Sequence, residues 1–169
     1  MIIVIMGVAG SGKSVVGQQL ARELRCEFLD GDSLHSPQNI AKMTHGIPLT
    51  DTDRASWLAA IQARILESFQ RGESLVVACS ALKQRYRDSL DRGVAITWVY
   101  LKGSVELIRE RLEQRKHHFM KAKMLASQFR DLEEPADAIV IDAAVEPPVA
   151  VRQVMSALPA ASIIASRSC

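Results

Sequence analysis

The sequence predicts a three-layer α/β domain: a five-stranded, mostly parallel sheet with helices on both faces. Three observations carry this. The short apolar runs 2–6, 75–78, 96–101 and 138–141, with a weaker one at 27–29, have the length and β-branched content of strands buried on both sides. Between them lie longer segments such as the one holding Trp57, Ile61, Ile65 and Phe69, whose four-residue repeat marks one face of a helix. A glycine-rich stretch directly follows the first run and leads into a helix-compatible segment, 14–24. Strand and helix therefore alternate, the connections are crossovers, and ligands belong at the carboxyl ends of the strands.

A chain of 169 residues can bury a core around such a sheet without disulfides or metals, and a single domain over residues 1–158 is the natural expectation. Apolar residues at 48% and charged residues at 24% exclude a disordered chain and a coiled-coil rod. A net charge of +2 gives no support to a nucleic-acid or membrane-surface partner. Cys26, Cys79 and Cys169 are odd in number and form no CxxC pair, so neither a disulfide framework nor a zinc site is implied, and a reducing cytoplasm suits them. The apolar opening is too short for an export signal or a membrane span. Residues 159–169 are small and polar and are expected to form a flexible tail with no assigned function. Thr50 with Asp53 reads as a capping box that opens a long helix and anchors an exposed loop, 36–49.

Gly7-Val8-Ala9-Gly10-Ser11-Gly12-Lys13-Ser14 matches G-x-x-x-x-G-K-[ST] in full, after a strand and before a helix. Glycines let the backbone curl so that successive N–H groups point at phosphate oxygens, and the following helix adds its positive end. Lys13 is expected to reach the β and γ phosphates of ATP, and Ser14 to offer its hydroxyl to Mg²⁺. The cradle alone does not separate kinases from GTPases or motor ATPases. A GTPase should also carry [NT]-K-x-D and D-x-x-G, and neither string occurs.

At the end of the second strand, Asp30-Gly31-Asp32 sets two carboxylates apart by one glycine, which lets the chain turn sharply. Beside a phosphate cradle, one such carboxylate holds Mg²⁺ through water, the role assigned to Asp30. The other accepts the proton of the attacking hydroxyl, the role assigned to Asp32. Standing alone, the same triplet would read as a surface turn.

The blocks Gly31-Asp32-Ser33-Leu34-His35, Asn39-Ile40-Ala41-Lys42-Met43, Gly46-Ile47-Pro48-Leu49 and Asp51-Thr52-Asp53-Arg54 resemble the signature of gluconokinases. Downstream, Ala78 to Lys83, Tyr86-Arg87-Asp88, Tyr100 to Gly103, His118-Phe119-Met120, Ser127-Gln128-Phe129 and Leu132 to Pro135 are similar to that family in order and spacing. The resemblance spans about residues 2 to 142. It implies a shikimate-kinase-like, three-layer P-loop NTPase fold with a helical lid at about 116–130. The implied reaction is transfer of the ATP γ-phosphate to the 6-hydroxyl of D-gluconate, and a homodimer is the family-based expectation. A polyol with one carboxylate calls for cations and hydrogen-bonding groups, and His35, Lys42, Arg54, Lys83 and Arg87 are the supply. Arg54 is the first choice for the carboxylate, because a guanidinium grips it with two hydrogen bonds. For the others a solvated helix face is the competing explanation.

Arg111 and Arg115 lie four apart near the end of a helix that begins around Ser104, an arrangement similar to the lid helix of nucleotide kinases. By that resemblance Arg111 stacks on adenine and Arg115 neutralises the transferring phosphate. An exposed amphipathic helix is the alternative. The chain departs from the family pattern at His117, where glycine is usual, and at Lys121, where proline is common. Ser36 and Ser56 also stand where proline is usual, so a looser acceptor loop is expected.

Overall fold

The computed structural model describes residues 1–114 and 122–159. Five strands, β1 (Ile2–Met6), β2 (Glu27–Asp30), β3 (Leu75–Ala78), β4 (Ile96–Lys102) and β5 (Ile139–Asp142), form one sheet in the order β2-β3-β1-β4-β5. Every neighbouring pair is parallel. The helices are α1 (Lys13–Leu24), α2 (Pro37–Thr44), α3 (Asp51–Gln70), α4 (Gln84–Leu90), α5 (Val105–Glu113), α6 (Ala122–Asp131) and α7 (Pro147–Ala157). This is the three-layer P-loop arrangement that the sequence predicts.

Period-two alternation along β1 divides the core. Ile2, Val4 and Met6 face Trp57, Ile61 and Ile65 of α3 and Tyr86 and Leu90 of α4. Ile3 and Ile5 face Val16, Leu20 and Leu24 of α1 and Val151 and Val154 of α7. β1 is buried throughout because both of its sides are covered, which explains why it reads as an unbroken apolar run. Phe69 departs from the expected face. It is 49% exposed, because a strict four-residue repeat drifts off the face of a 3.6-residue helix, and Ser68 takes the buried place in the last turn of α3.

The segment 36–49 is not the plain loop expected from its sequence, since it contains α2. Ser36 starts this helix: its side chain accepts a hydrogen bond from Asn39 N at 3.2 Å, and Pro37 occupies the first turn, where a missing N–H costs nothing. A serine in place of the usual proline thus supplies a cap. Ser36→Ala is expected to lower stability by about 1 kcal/mol, measured by urea unfolding. The Thr50–Asp53 capping box forms as expected, with Asp53 N donating to Thr50 Oγ1 at 3.2 Å and Thr50 N donating to Asp53 Oδ2 at 2.9 Å.

Candidate active site

The loop after β1 lies beside both β3 and β4, at the carboxyl edge of the sheet. Its glycines take backbone angles that other residues avoid, with φ of 143° at Gly7, 85° at Gly10 and 100° at Gly12. Gly7 is also sterically obligatory, because a Cβ there would lie 2.8 Å from the Leu101 carbonyl and 2.9 Å from Ser11 Oγ. Ser11 Oγ is buried and has no hydrogen-bond partner among the described residues, and Lys13 Nζ donates to Val8 O at 2.9 Å. A cradle of glycines at positive φ with a buried, unanswered hydroxyl fits a phosphate chain.

Ser14 Oγ donates to Asp30 Oδ2 at 2.8 Å, so the end of β2 meets the start of α1 through two hard oxygens, the donor type that magnesium prefers. The other Asp30 oxygen accepts from Asp32 N at 3.1 Å, and Ser33 Oγ donates to Asp30 O at 2.6 Å. These bonds wind residues Gly31–Leu34 into a short 3₁₀ turn. Gly31 has a different reason from the expected sharp turn. It is buried, and a Cβ would sit 2.7 Å from the Ala78 carbonyl, so β3 passes too close for any side chain.

Lys13, Asp32, His35 and Arg54 line a single cavity of about 80 Å³. Met43, Pro48 and Leu49 from the α2 segment form an apolar wall, and Trp57, Ser80, Ser127 and Gln128 complete it. His35 stacks on Trp57 with ring centroids 4.4 Å apart and planes 12° apart, and Trp57 Nε1 donates to Gly31 O at 2.7 Å. The indole therefore ties the histidine to the turn that carries Asp32.

Burial pushes the His35 imidazole below its ordinary value of 6.5, with Asp32 raising it and Arg54 lowering it further. The unfolded ring therefore takes up its proton at a higher pH than the folded one, and stability is lost as pH falls through 6.5 until the folded ring also protonates. Urea unfolding at about pH 7.5 and about pH 5.5 should show a larger loss of stability for the wild type than for His35→Gln.

Arg54 Nη1 donates to Tyr86 OH at 3.4 Å, and its guanidinium lies 5.8 Å from the tyrosine ring centre. Lys83 and Arg85 flank the same ring at 5.8 and 5.5 Å. Asp51 accepts from Tyr86 OH, Lys83 and Arg85, and these bonds, the tyrosine's foremost, hold its carboxyl down at about 2. Asp51 thus pairs with two cations, Lys83 and Arg85, and Tyr86 links it to Arg54, the guanidinium that lines the cavity.

Not every residue expected at the substrate is brought there. Lys42 is engaged by Asp53 at 2.6 Å, and Lys83 lies 3.3 Å from Asp51; neither lines the cavity. Arg87 is only 2% exposed, and it donates to the carbonyls of Ala81 and Leu82 at 3.0 and 3.2 Å and to Gln84 Oε1. Its guanidinium braces the turn after β3, where Ala81 has a positive φ of 39°, and does not face the cavity. Arg111 lines a second hollow on the other side of the loop, with Ser11, Gly12, Asp142, Val145 and Pro147. Arg115 and residues 116–121 of the expected lid lie outside the described residues, as do residues 160–169.

Trp57, Ser80 and Gln128 escaped assignment from sequence. Trp57 fits the buried helix face and carries no polar signal of a site, whereas Ser80 and Gln128 sit inside family-like blocks that gave them no role. A wider groove of about 810 Å³ runs between the carboxyl half of α1 and α7, lined in part by Arg22, Glu23 and Arg152. It holds none of the cradle or carboxylate residues, so chemistry rather than size selects the smaller cavity.

A strand-loop-helix phosphate cradle facing a carboxylate-lined acceptor cavity at the carboxyl edge of a parallel sheet defines a P-loop kinase. A family model described as an AAA domain matches residues 2–137. The thermoresistant gluconokinase of Escherichia coli K12 is 44% identical over 146 residues, covering 83% of each chain. Among solved structures, an unliganded sugar kinase from Janibacter sp. HTCC2649 superposes with a TM-score of 0.86 at 40% identity, covering 92% of each chain. A gluconokinase from Sinorhizobium meliloti 1021 superposes at 0.83 with 43% identity, covering 91% of this chain and 89% of that one. The chain belongs to the gluconokinase family.

Proposed function

We propose that this protein transfers the terminal phosphoryl group of ATP to the 6-hydroxyl of D-gluconate, giving 6-phospho-D-gluconate and ADP. The observation that carries the reading is the convergence of Lys13, Asp32, His35 and Arg54 on one cavity, in a chain whose relatives are gluconokinases. The N–H groups of residues 7–14 and the Ser11 hydroxyl would hold the phosphates, and Ser14 with Asp30 would hold Mg²⁺, which supplies charge neutralisation when bound. Asp32 accepts the proton of the 6-hydroxyl as its oxygen bonds to phosphorus and the bond to the ADP oxygen breaks. Lys13 balances charge on the transferring group. Arg54 grips the sugar-acid carboxylate, and the His35 ring, kept neutral by burial, hydrogen-bonds a hydroxyl. Arg111, which lines a hollow with Ser11 and Gly12, would stack on the adenine, and Arg115 would neutralise charge on the transferring phosphate. A reducing cytoplasm as the place of action suits Cys26 and Cys79, which are both free.

The test is a coupled assay of ADP release with ATP and Mg²⁺ across gluconate, other sugar acids, shikimate and nucleoside monophosphates. Turnover should be highest with gluconate. Silence with gluconate and turnover elsewhere would overturn the substrate.

A further inference from the structure

A side chain from α6 reaches into the phosphate cradle. Gln128 Oε1 accepts a hydrogen bond from Ala9 N at 2.7 Å, across 119 residues of sequence. Because the partner is an N–H donor, the carboxamide oxygen must face the loop, and its NH₂ group is turned away from that amide. Ala9 lies inside the glycine-rich stretch whose N–H groups serve as phosphate donors. A backbone N–H has one hydrogen, so a phosphate oxygen and the Gln128 oxygen cannot both take it in good geometry. Gln128 also occupies the acceptor cavity, whose volume of about 80 Å³ is below the roughly 300 Å³ at which ordinary ligand clefts begin. Substrates therefore need that side chain to move. The base of α6 need not: Leu125, with Phe129 beside it, packs on Val8, Leu82, Ile108 and Leu112, which leaves the flexible glutamine side chain as the mobile part.

We propose that Gln128 is a catalytic residue that yields the Ala9 amide to the terminal phosphate of the nucleotide and then turns its NH₂ group onto the transferring phosphoryl oxygens. This deepens the proposed function and rests on it. The exchange makes nucleotide binding open the acceptor cavity, so the two substrates are coupled through one side chain. A neutral donor there stabilises developing charge without opposing Asp32, which lines the same cavity.

The test measures the Kd of a non-hydrolysable ATP analogue with Mg²⁺ and without sugar acid, and then kcat with gluconate. Gln128→Ala removes the competitor and should tighten the analogue about threefold to tenfold, the worth of one ordinary hydrogen bond. The same variant should lower kcat by about tenfold or more, because a donor to the transition state is lost. Gln128→Glu should weaken the analogue, since a carboxylate both holds Ala9 N–H more firmly and repels phosphate. Hydrogen exchange at the Ala9 amide of the nucleotide-free enzyme should accelerate in Gln128→Ala. A merely structural role would weaken binding and turnover together. An unchanged or weakened Kd for Gln128→Ala, or an unchanged kcat, overturns the proposal while leaving the kinase reading intact. Failure of the wild type to bind the analogue overturns both.

Discussion

Asp32→Asn is expected to lower kcat by about 10²- to 10⁴-fold, the range in which a positioned general base contributes, while leaving the Kd for ATP nearly unchanged. The asymmetry follows from geometry. Asp30, not Asp32, bonds Ser14 at the cradle, whereas Asp32 lines the acceptor cavity with His35 and Arg54. Asparagine keeps the shape and the 3₁₀ turn, because that turn uses the Asp32 backbone N–H and not its carboxylate. The variant therefore removes a proton acceptor without dismantling the site. Steady-state kinetics with gluconate, paired with nucleotide titration, checks both halves. Near-normal turnover would take the base role away from Asp32, and a parallel collapse of ATP binding would place it in the nucleotide site instead.

Arg54→Ala should raise KM for the sugar acid by about tenfold to 150-fold, the value of a hydrogen-bonded charge contact, with a much smaller change in kcat. A contact to the carboxylate, remote from the transferring phosphoryl group, would be made equally in the ground and transition states. Arg54→Lys should recover only part of the loss, since an ammonium cannot make two parallel hydrogen bonds to a carboxylate. Tyr86, whose hydroxyl accepts from Arg54 and donates to Asp51, holds the guanidinium at the cavity, so the charge is pre-placed. Rising salt should raise KM for gluconate further in the wild type than in Arg54→Ala, because salt screens the attraction between the Arg54 charge and an anionic substrate, and the variant lacks that charge. An unchanged KM in Arg54→Ala would move the carboxylate site elsewhere.

Much of this molecule was legible as pattern. The strands fall within one residue of the apolar runs that predict them, most plainly β1 and β3, which are buried at every residue and so hold only apolar side chains, whereas the edge strands β2 and β5 are partly exposed. α1, the α3 capping box and the start of α5 near Ser104 were legible from local sequence alone. Less legible were α2, whose eight residues are too few to show a clear helical period, and the exposure of Phe69, which a strict four-residue repeat overlooks.

The candidate site divides in the same way. Its cradle is a contiguous run of eight residues whose conformation depends on their own glycines, so sequence by itself determined it, together with the two carboxylates one strand away. The resemblance of the Gly46 to Arg54 block determined the family. Arg54 was the first choice from sequence, but that Lys42, Lys83 and Arg87 turn away from the cavity could not be read from the chain, because they look available until Asp53, Asp51 and the Ala81 and Leu82 carbonyls are placed beside them. The stacking of His35 on Trp57 and the reach of Gln128 to Ala9 were likewise decided only by tertiary structure. The physical reason is common to all of them: a charge or an amide acts according to the partner it meets, and in a parallel α/β fold those partners come from distant parts of the chain that meet only at the carboxyl edge of the sheet.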